Sequence, residues 1–305
     1  MADTQARALY KKYLDPKILD KITATELKAR SLVEGFMMGL NKSPMRGFSV
    51  DFKQHREYVH GDDPKYLDWK VWGRSDRLMV KEFEQETNAR VHLVLDASKS
   101  MKYGSSETNK FDVAATIVAS LAYLALQQRD WATFTMFANN IVREVPGSTN
   151  RHHVATILHE IYSTTPDSQT DLATSLLYFS EKVQRRGIVI LVSDLLDDPP
   201  KIIKGLSYLK AKRHDIIVAH VMDEFELTFP FKQLTMFQGI EEADLRRLTD
   251  PQAIRQEYLN ALNNFLAEIQ RGCTNFQVDY LRIGTHQSLE SILTAYLARR
   301  SRLVG

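Results

Sequence analysis

Five oxygen-bearing side chains form the strongest candidate site in this sequence. Asp96, Ser98 and Ser100 alternate in the run Asp-Ala-Ser-Lys-Ser, so a tight loop would bring three oxygens towards one point. Thr170 lies in a polar loop before a predicted helix, and Asp194 follows a strongly apolar run. Carboxylate and hydroxyl oxygens suit hard divalent cations, and magnesium prefers octahedral oxygen coordination in which it keeps several waters. The pattern predicts a site for Mg²⁺ or Mn²⁺.

The charges and ligand types of these five residues indicate what the site would do. Asp96 and Asp194 would supply negative charge, directly or through water, while the three hydroxyls would act as neutral ligands. A cation with few direct anionic ligands stays electrophilic and favours a carboxylate from outside. We therefore expect a recognition device for an acidic side chain of a protein partner. The local alternative is that these Asp, Ser and Thr residues only cap helices and turns, Thr170 among them.

Two apolar runs position the aspartates. Residues 91–95 (VHLVL) lead straight into Asp96, and residues 188–192 (IVILV) lead through Ser193 into Asp194. Open α/β sheets bind ligands at the carboxyl ends of their strands. Both aspartates are thus predicted at the edge of the sheet where a site would be built, and a third run, 216–221, ends close to Asp223.

Strands and helices alternate along the chain after residue 88. The apolar periodicity predicts strands at 91–95, 132–137, 141–145, 188–192, 216–221 and 275–282, and helices at 111–128, 151–162, 171–185, 201–212, 251–270 and 287–300. Gly187 is expected to cap the C-terminal end of the predicted helix 171–185. Residues 227–239 have a hairpin-like composition. Helix 111–128 is apolar nearly all round, which indicates packing between other elements.

This alternation predicts an α/β fold with a doubly wound, mostly parallel sheet. The preceding part of the chain reads as a helical and irregular β extension. The predicted division is an N-terminal region at 1–88 and the α/β domain at 89–305.

A second acidic cluster lies in a segment where aromatic and charged residues alternate, 47–86. Asp62, Asp63 and Asp68 occur there with His60 beside them. As an alternative function, this cluster or the cation described above would serve a metal-dependent hydrolase with an activated water. We favour a structural role, in which Gly61 to Pro64 forms a turn and Arg56, Asp68 and Trp69 attach the segment to the main domain.

Composition excludes several classes of protein. The 40 Lys and Arg against 38 Asp and Glu give no electrostatic ground for nucleic acid or an anionic membrane as the main partner. The single cysteine, Cys273, excludes an internal disulfide and fits a reducing compartment. The N-terminus has no secretory pattern, and the longest apolar stretch, 113–126, is shorter than the ~20 residues that span a bilayer. We expect a cytoplasmic protein without a membrane span.

The motifs resemble those of a known family. The run DASKS, the Thr of QTDL and the Asp of VSDL resemble the three motifs of the metal-ion-dependent adhesion site of von Willebrand factor A domains. Further residues resemble the signature of a widespread prokaryotic family that contains such a domain and tends to be encoded beside MoxR-type AAA+ ATPases. They are Arg56-x-Tyr58-x-x-Gly61-Asp62-Asp63, Leu67-Asp68-Trp69 and Val80-Lys81-Glu82-Phe83-Glu84.

The resemblance implies a von Willebrand A-type fold, a bound magnesium and a role as adaptor or co-chaperone of such an ATPase or its client. It implies Asp96, Ser98, Ser100, Thr170 and Asp194 as the metal ligands. The chain has no Gly-x-x-x-x-Gly-Lys loop, so it is not itself the ATPase. It has no Gly-x-Ser-x-Gly elbow either, which argues against a common serine hydrolase. We therefore expect a non-enzymatic binding protein.

Overall fold

A computed structural model describes residues 51–59, 67–75, 77–84, 89–166, 171–239, 246–287 and 289–304. The strands, in chain order, are β1 (Asp51–Glu57), β2 (Met79–Glu84), β3 (Arg90–Asp96), β4 (Trp131–Phe137), β5 (Ile141–Ser148), β6 (Ile188–Ser193), β7 (Asp215–Met222), β8 (Thr235–Gln238), β9 (Arg246–Thr249) and β10 (Asp279–Gly284). The helices are α1 (Trp69–Ser75), α2 (Lys110–Gln127), α3 (His153–Tyr162), α4 (Leu172–Lys182), α5 (Pro199–Ala211), α6 (Glu224–Thr228), α7 (Pro251–Asn275) and α8 (Glu290–Val304).

The main sheet has the strand order β10-β7-β6-β3-β4-β5. Every neighbouring pair is parallel except β4 and β5, which form an antiparallel edge. From β3 the chain continues to β4 on one side, whereas β6, β7 and β10 extend on the other. The winding direction therefore reverses between β3 and β6. In open α/β sheets this switch point opens a crevice outside the carboxyl ends of the strands, where ligands bind.

Helices cover both faces of this sheet, which confirms the predicted doubly wound α/β class. One apolar cluster joins the sheet to α2, α3 and α8. A second cluster joins the opposite face to α4, α5 and α7. Because β3, β6 and β7 are covered on both sides, their residues are buried almost without interruption, as parallel strands require.

Helix α2 lies in the interior, as its apolar circumference predicts. Thirteen of its eighteen residues are buried, from Lys110 to Leu126. Within the described ranges it is the one helix long and apolar enough to cross a membrane, and 72% of that 18-residue window is buried inside the protein.

Two local predictions are wrong. Helix α4 ends at Lys182 rather than near Gly187. Gly187 instead precedes β6 against a neighbouring strand, where an added Cβ would lie 2.5 Å from the carbonyl oxygen of Arg90. The hairpin expected at 227–239 begins later in the chain. Asp223 forms a capping box that starts α6, which takes up the first residues of this range, and the strands of the hairpin are β8 and β9.

The segment before the main sheet forms a small unit of its own. Strands β1 and β2 pair antiparallel, and Leu67 bridges to Val80. This agrees with the expected short strands, while the predicted turn at Gly61 to Pro64 lies outside the described residues. Residues 1–50 also lie outside them, and the proposed boundary at residue 88 stays a prediction.

Candidate metal centre

Asp96 and Asp194 lie together at the switch point of the sheet. Asp96 is the last residue of β3, and Asp194 directly follows Ser193, the last residue of the neighbouring strand β6. Asp96 is 1% exposed and Asp194 6%. Two buried carboxylates thus lie at the carboxyl ends of adjacent parallel strands.

The loop after β3 places two hydroxyls beside this pair. The backbone N–H of Ser98 donates to Oδ1 of Asp96 at 2.8 Å, the local turn that an Asp side chain favours. A single 3₁₀ turn, Lys99–Lys102, then brings the hydroxyls of Ser98 and Ser100 within 2.9 Å of each other. Both serines are buried, at 1% and 3% exposure. The alternating Asp-x-Ser-x-Ser pattern therefore gathers its oxygens as the spacing predicts.

Ser193 joins the two strands, although it was not among the five residues predicted to form the site. Its hydroxyl donates to Oδ2 of Asp96 at 2.5 Å and accepts the backbone N–H of Leu195 at 2.9 Å. Leu195 adopts a left-handed conformation with φ of 51°, which turns the chain sharply after Asp194. The N–H of Leu196 then returns to Oδ1 of Asp194 at 3.3 Å. Both carboxylates are held in fixed orientations by these bonds.

Lys110 brings a buried positive charge to the centre. Its Nζ donates to Oδ2 of Asp194 at 2.8 Å and to Oε1 of Glu226 at 2.7 Å. Lys110 begins α2 and is 1% exposed. A cation at the N-terminus of a helix opposes the helix dipole, so the sequence alone gave no reason to place Lys110 in the site. Which carboxylate it meets depends on the tertiary fold.

Like charges meet at the centre. Burial raises the pKa of the Asp96 carboxyl, and the charge of Asp194 raises it further, while hydrogen bonds from Ser193 and Ser98 act in the opposite direction. Burial alone would lower the pKa of Lys110, but Asp194 and Glu226 outweigh that effect and raise it. The lysine is therefore charged, and it compensates only one of the two aspartates by direct contact.

His220 connects the ends of the strands behind Asp194. Nε2 of His220 lies 2.8 Å from the carbonyl oxygen of Asp194, and Nδ1 lies 2.6 Å from the hydroxyl of Tyr280. Burial lowers the pKa of His220 to about 4, so the ring is neutral at pH 7. Since the carbonyl can only accept, Nε2 carries the proton and Nδ1 accepts from the tyrosine.

Asp223 ties three segments together at the same edge. Its carboxylate accepts the backbone N–H of Ser105 at 3.0 Å, the hydroxyl of Thr285 at 3.3 Å and the N–H of Phe225 at 2.9 Å. Burial acts to raise its pKa, but these hydrogen bonds outweigh it and the pKa is lowered. The loop that carries Ser98 and Ser100 is thus anchored to the ends of β7 and β10.

Thr170 lies outside the described residues. Its neighbour Asp171 is described and is the N-cap of α4, accepting the backbone N–H of Thr174 at 3.0 Å and its hydroxyl at 2.8 Å. The capping role considered for Thr170 therefore belongs to Asp171. Thr170 as a ligand stays a prediction.

The donor set fits a hard divalent cation. Four of the five predicted ligands converge at the switch point, and all offer oxygen. Each carboxylate oxygen has two lone pairs, so the observed hydrogen bonds leave acceptor capacity. The mutual repulsion of Asp96 and Asp194 is what a cation between them would relieve. In the described ranges no group of three or more His, Cys, Asp or Glu has the arrangement of a metal site, and the candidate centre combines two aspartates with two serine hydroxyls.

The family match covers the predicted signature and all five candidate ligands. Residues 54–265 match the family described as "Protein of unknown function DUF58". The chain belongs to this family. This membership confirms in part the resemblance to a widespread prokaryotic family, whereas the adhesion-type metal site and the MoxR association stay predictions.

Individual relatives of the DUF58 chain are distant. The uncharacterized protein Rv1480 of Mycobacterium tuberculosis is 24% identical over 292 residues, which cover 94% of this chain and 91% of that protein. Among solved structures, the conserved hypothetical protein BatB from Bacteroides thetaiotaomicron is 15% identical, with 70% of this chain and 99% of that chain covered and a TM-score of 0.49. For the SpRpn10 VWA domain the corresponding values are 11%, 68%, 94% and 0.41. At these TM-scores the assignment of the fold rests on the observed strand order of the sheet.

The second acidic cluster of the DUF58 chain is only partly described. Oδ1 of Asp68 accepts the backbone N–H groups of Lys70 and Val71 at 3.0 and 3.3 Å, which caps α1. The N–H of Asp68 donates to the carbonyl of Met79, so Asp68 ties α1 to β2. Trp69 is 59% exposed and contacts Trp72 edge-on within the same helix. Asp62 and Asp63 lie outside the described residues. The capping bonds give Asp68 a structural role within this segment, whereas the attachment of the segment to the main domain by Arg56, Asp68 and Trp69 stays a prediction.

An exposed apolar surface lies on the part of the chain that follows β7, and the sequence analysis did not predict it. Strand β7 ends at the same edge as β3 and β6, and α6 and the β8–β9 hairpin follow it. Met236 pairs with Leu248 across the hairpin, and both are more than half exposed, as is Leu234. We call these three residues the hairpin face. On the opposite side Phe237 stacks on Phe229 at 5.7 Å.

Proposed function

We propose that this protein is a metal-dependent, non-enzymatic protein-binding module. The observation that carries the proposal is the buried pair Asp96 and Asp194 at the switch point of the sheet, with the hydroxyls of Ser98 and Ser100 beside it. Mg²⁺ or Mn²⁺ would be held by these four residues, and by Thr170 on the strength of the resemblance. When bound, the cation supplies a Lewis-acidic position that takes a carboxylate from a partner.

The chain's own residues prepare this position. Ser193 and the N–H of Ser98 fix the orientation of the Asp96 carboxylate, and Lys110 and Leu196 fix that of Asp194. Preorganised ligands lose little entropy when they bind, which favours affinity. The hairpin face adds exposed apolar surface on the chain that follows β7, and exposed apolar patches are a property of protein-interaction sites.

The proposed partner is a protein that presents an acidic side chain, and a MoxR-type AAA+ ATPase or its client is the candidate. The acidic side chain follows from the chemistry of a cation with neutral hydroxyl ligands. The ATPase follows from the resemblance of the signature between Arg56 and Glu84.

Two measurements on the full chain test the proposal. Titration calorimetry is expected to show that the wild type binds Mg²⁺ and Mn²⁺. Asp96→Ala should lose more affinity for the metal than the roughly 10–100-fold lost when a residue that only supports a ligand is replaced. Affinity capture from native extract, read by mass spectrometry, is expected to retain a AAA+ ATPase with Mg²⁺ but not with EDTA or with Asp96→Ala.

Asp198→Ala is the matched control, because it removes an exposed carboxylate only four residues after Asp194 whose side chain makes no cap hydrogen bond. It should behave like the wild type in both measurements. Equal retention of the partner by wild type and Asp96→Ala, with and without EDTA, would rule out the metal as the recognition element.

A metal-dependent hydrolase is the second candidate, favoured by one observation. Burial and Asp194 raise the pKa of Asp96, which is the direction expected of a general base. Turnover of a phosphoester or peptide panel that requires Mg²⁺ and disappears in Asp96→Ala would support hydrolysis. Capture of a partner without any turnover would support the binding module.

A further inference from the structure

Lys110 is the least expected residue at the centre. It occupies the first position of α2, where the positive end of the helix dipole disfavours a cation, and it is 1% exposed. A buried charge is costly unless it is paired and hydrogen-bonded. Here the ammonium contacts Asp194 at 2.8 Å and Glu226 at 2.7 Å, and lies 5.7 Å from the ring centre of Tyr103.

Glu226 fixes the lysine from the opposite side. It is the third residue of α6, and its Oε2 accepts the backbone N–H of Asp223 at 2.8 Å in the capping box. Its other oxygen, Oε1, accepts from Lys110. The ammonium is therefore held between the end of β6 and the start of α6 and cannot leave Asp194 without breaking this arrangement.

We propose that Lys110 sets the charge of the metal centre and so determines its preference for a carboxylate ligand. A fixed unit of positive charge on Asp194 opposes a divalent cation placed beside Asp96 and Asp194. It also leaves a bound cation less neutralised by the protein, so that an external carboxylate is attracted more strongly. The lysine thus lowers the affinity for metal and raises the affinity of the loaded centre for an acidic group. This inference rests on the proposed function.

The opposite signs of these two effects make the inference testable. A residue with a purely structural role would weaken both steps when replaced. Removal of the lysine charge, in contrast, should strengthen the first step and weaken the second, because it makes the centre one charge unit more negative.

The test uses Mn²⁺ and acetate as probes on the full chain. Mn²⁺ affinity is measured by electron paramagnetic resonance of the free ion, and acetate binding to the loaded protein by water proton relaxation. Lys110→Met is expected to bind Mn²⁺ more tightly, on the order of tenfold, and acetate more weakly by a similar factor. Glu226→Gln, which removes a negative charge from a 22% exposed side chain, should bind Mn²⁺ more weakly than the wild type.

The outcomes separate this inference from the proposed function. If none of the three proteins binds Mn²⁺, the proposed function fails, and the charge-setting role with it. If the wild type binds Mn²⁺ but the order of the variants is reversed or flat, only the role of Lys110 is overturned. Should Lys110→Met fail to fold, as judged by circular dichroism, a Glu226→Gln variant that binds Mn²⁺ at least as tightly as the wild type overturns the role by itself.

Discussion

The hydroxyl of Ser193 donates to the carboxylate of Asp96 across the two central strands, with 2.5 Å between the oxygens. The donor ends β6 and the acceptor ends β3, so this bond joins the two sides of the switch point. Ser193 also accepts the N–H of Leu195, which begins the turn after Asp194. The Ser193 side chain thus links the Asp96 carboxylate to the turn that follows Asp194.

Replacement of Ser193 by Ala is expected to destabilise the protein. The change leaves a buried carboxylate oxygen and a buried N–H without this partner, at a cost of about 1–3 kcal/mol in the free energy of unfolding. Urea unfolding followed by circular dichroism measures the difference. Ser207→Ala, in which a partly exposed serine of α5 loses only a bond within its own helix, is the control and should change stability by less than about 0.5 kcal/mol. Equal stabilities of the two variants would contradict the connecting role.

The hairpin face should contribute to partner binding without affecting the metal. Met236→Ser and Leu248→Ser remove apolar surface that is already exposed, at 56% and 58%, so folding should be little changed. We expect less partner retained in the affinity capture, with the same Mn²⁺ affinity as the wild type. Tyr178→Ser, on α4 and 53% exposed, is the matched control. If the hairpin variants and Tyr178→Ser retain the partner equally well, the hairpin face is not part of the interface.

The contribution of the buried, neutral histidines to the stability of the protein should be lost as the pH falls below about 6.5. Burial, together with the charges of His214 and Arg90, lowers the pKa of His92 to about 4. Because the unfolded chain takes up this proton at higher pH, stability is fully present above 6.5 and is lost down to about 4, at up to about 1.4 kcal/mol per pH unit for one proton. The buried His220, with a pKa also lowered to about 4, acts in the same direction.

Urea midpoints at several values between pH 4 and 8 measure this dependence. His92→Phe removes one titrating group and should flatten the slope, whereas the exposed His152→Gln should not. A wild-type slope that His92→Phe leaves unaltered would show that His92 is protonated equally in the folded and unfolded chains.

Cys273 should be unreactive in the folded protein. It is 1% exposed near the end of α7, and burial raises the pKa of its thiol to about 12. The thiolate is the reactive form, so an aromatic disulfide reagent at pH 8 should label the native chain far more slowly than the guanidinium-unfolded chain. Since the chain has a single cysteine, full reaction on unfolding gives one equivalent. Rapid stoichiometric labelling of the native protein would contradict this burial.

The sequence by itself determined the elements and the edge at which the site lies. The runs VHLVL and IVILV are local patterns of buried strands, and a strand that ends in Asp places that residue at the carboxyl edge of the sheet. The spacing of Asp96, Ser98 and Ser100 is equally local, and the structure brings the three together as predicted. The boundaries failed where a distant contact decides them, as at Gly187, which lies against Arg90 of a neighbouring strand.

Only the tertiary structure decided which strands are neighbours and which charges meet. That β6 lies beside β3 depends on the winding of the whole sheet, and periodicity in the sequence carries no information about it. The contacts of Lys110 with Asp194 and Glu226 join residues 84 and 116 positions apart. A lysine at the start of a helix can be solvated, and the chain contains 38 acidic residues, so only packing decides that Lys110 is buried and which two carboxylates reach it.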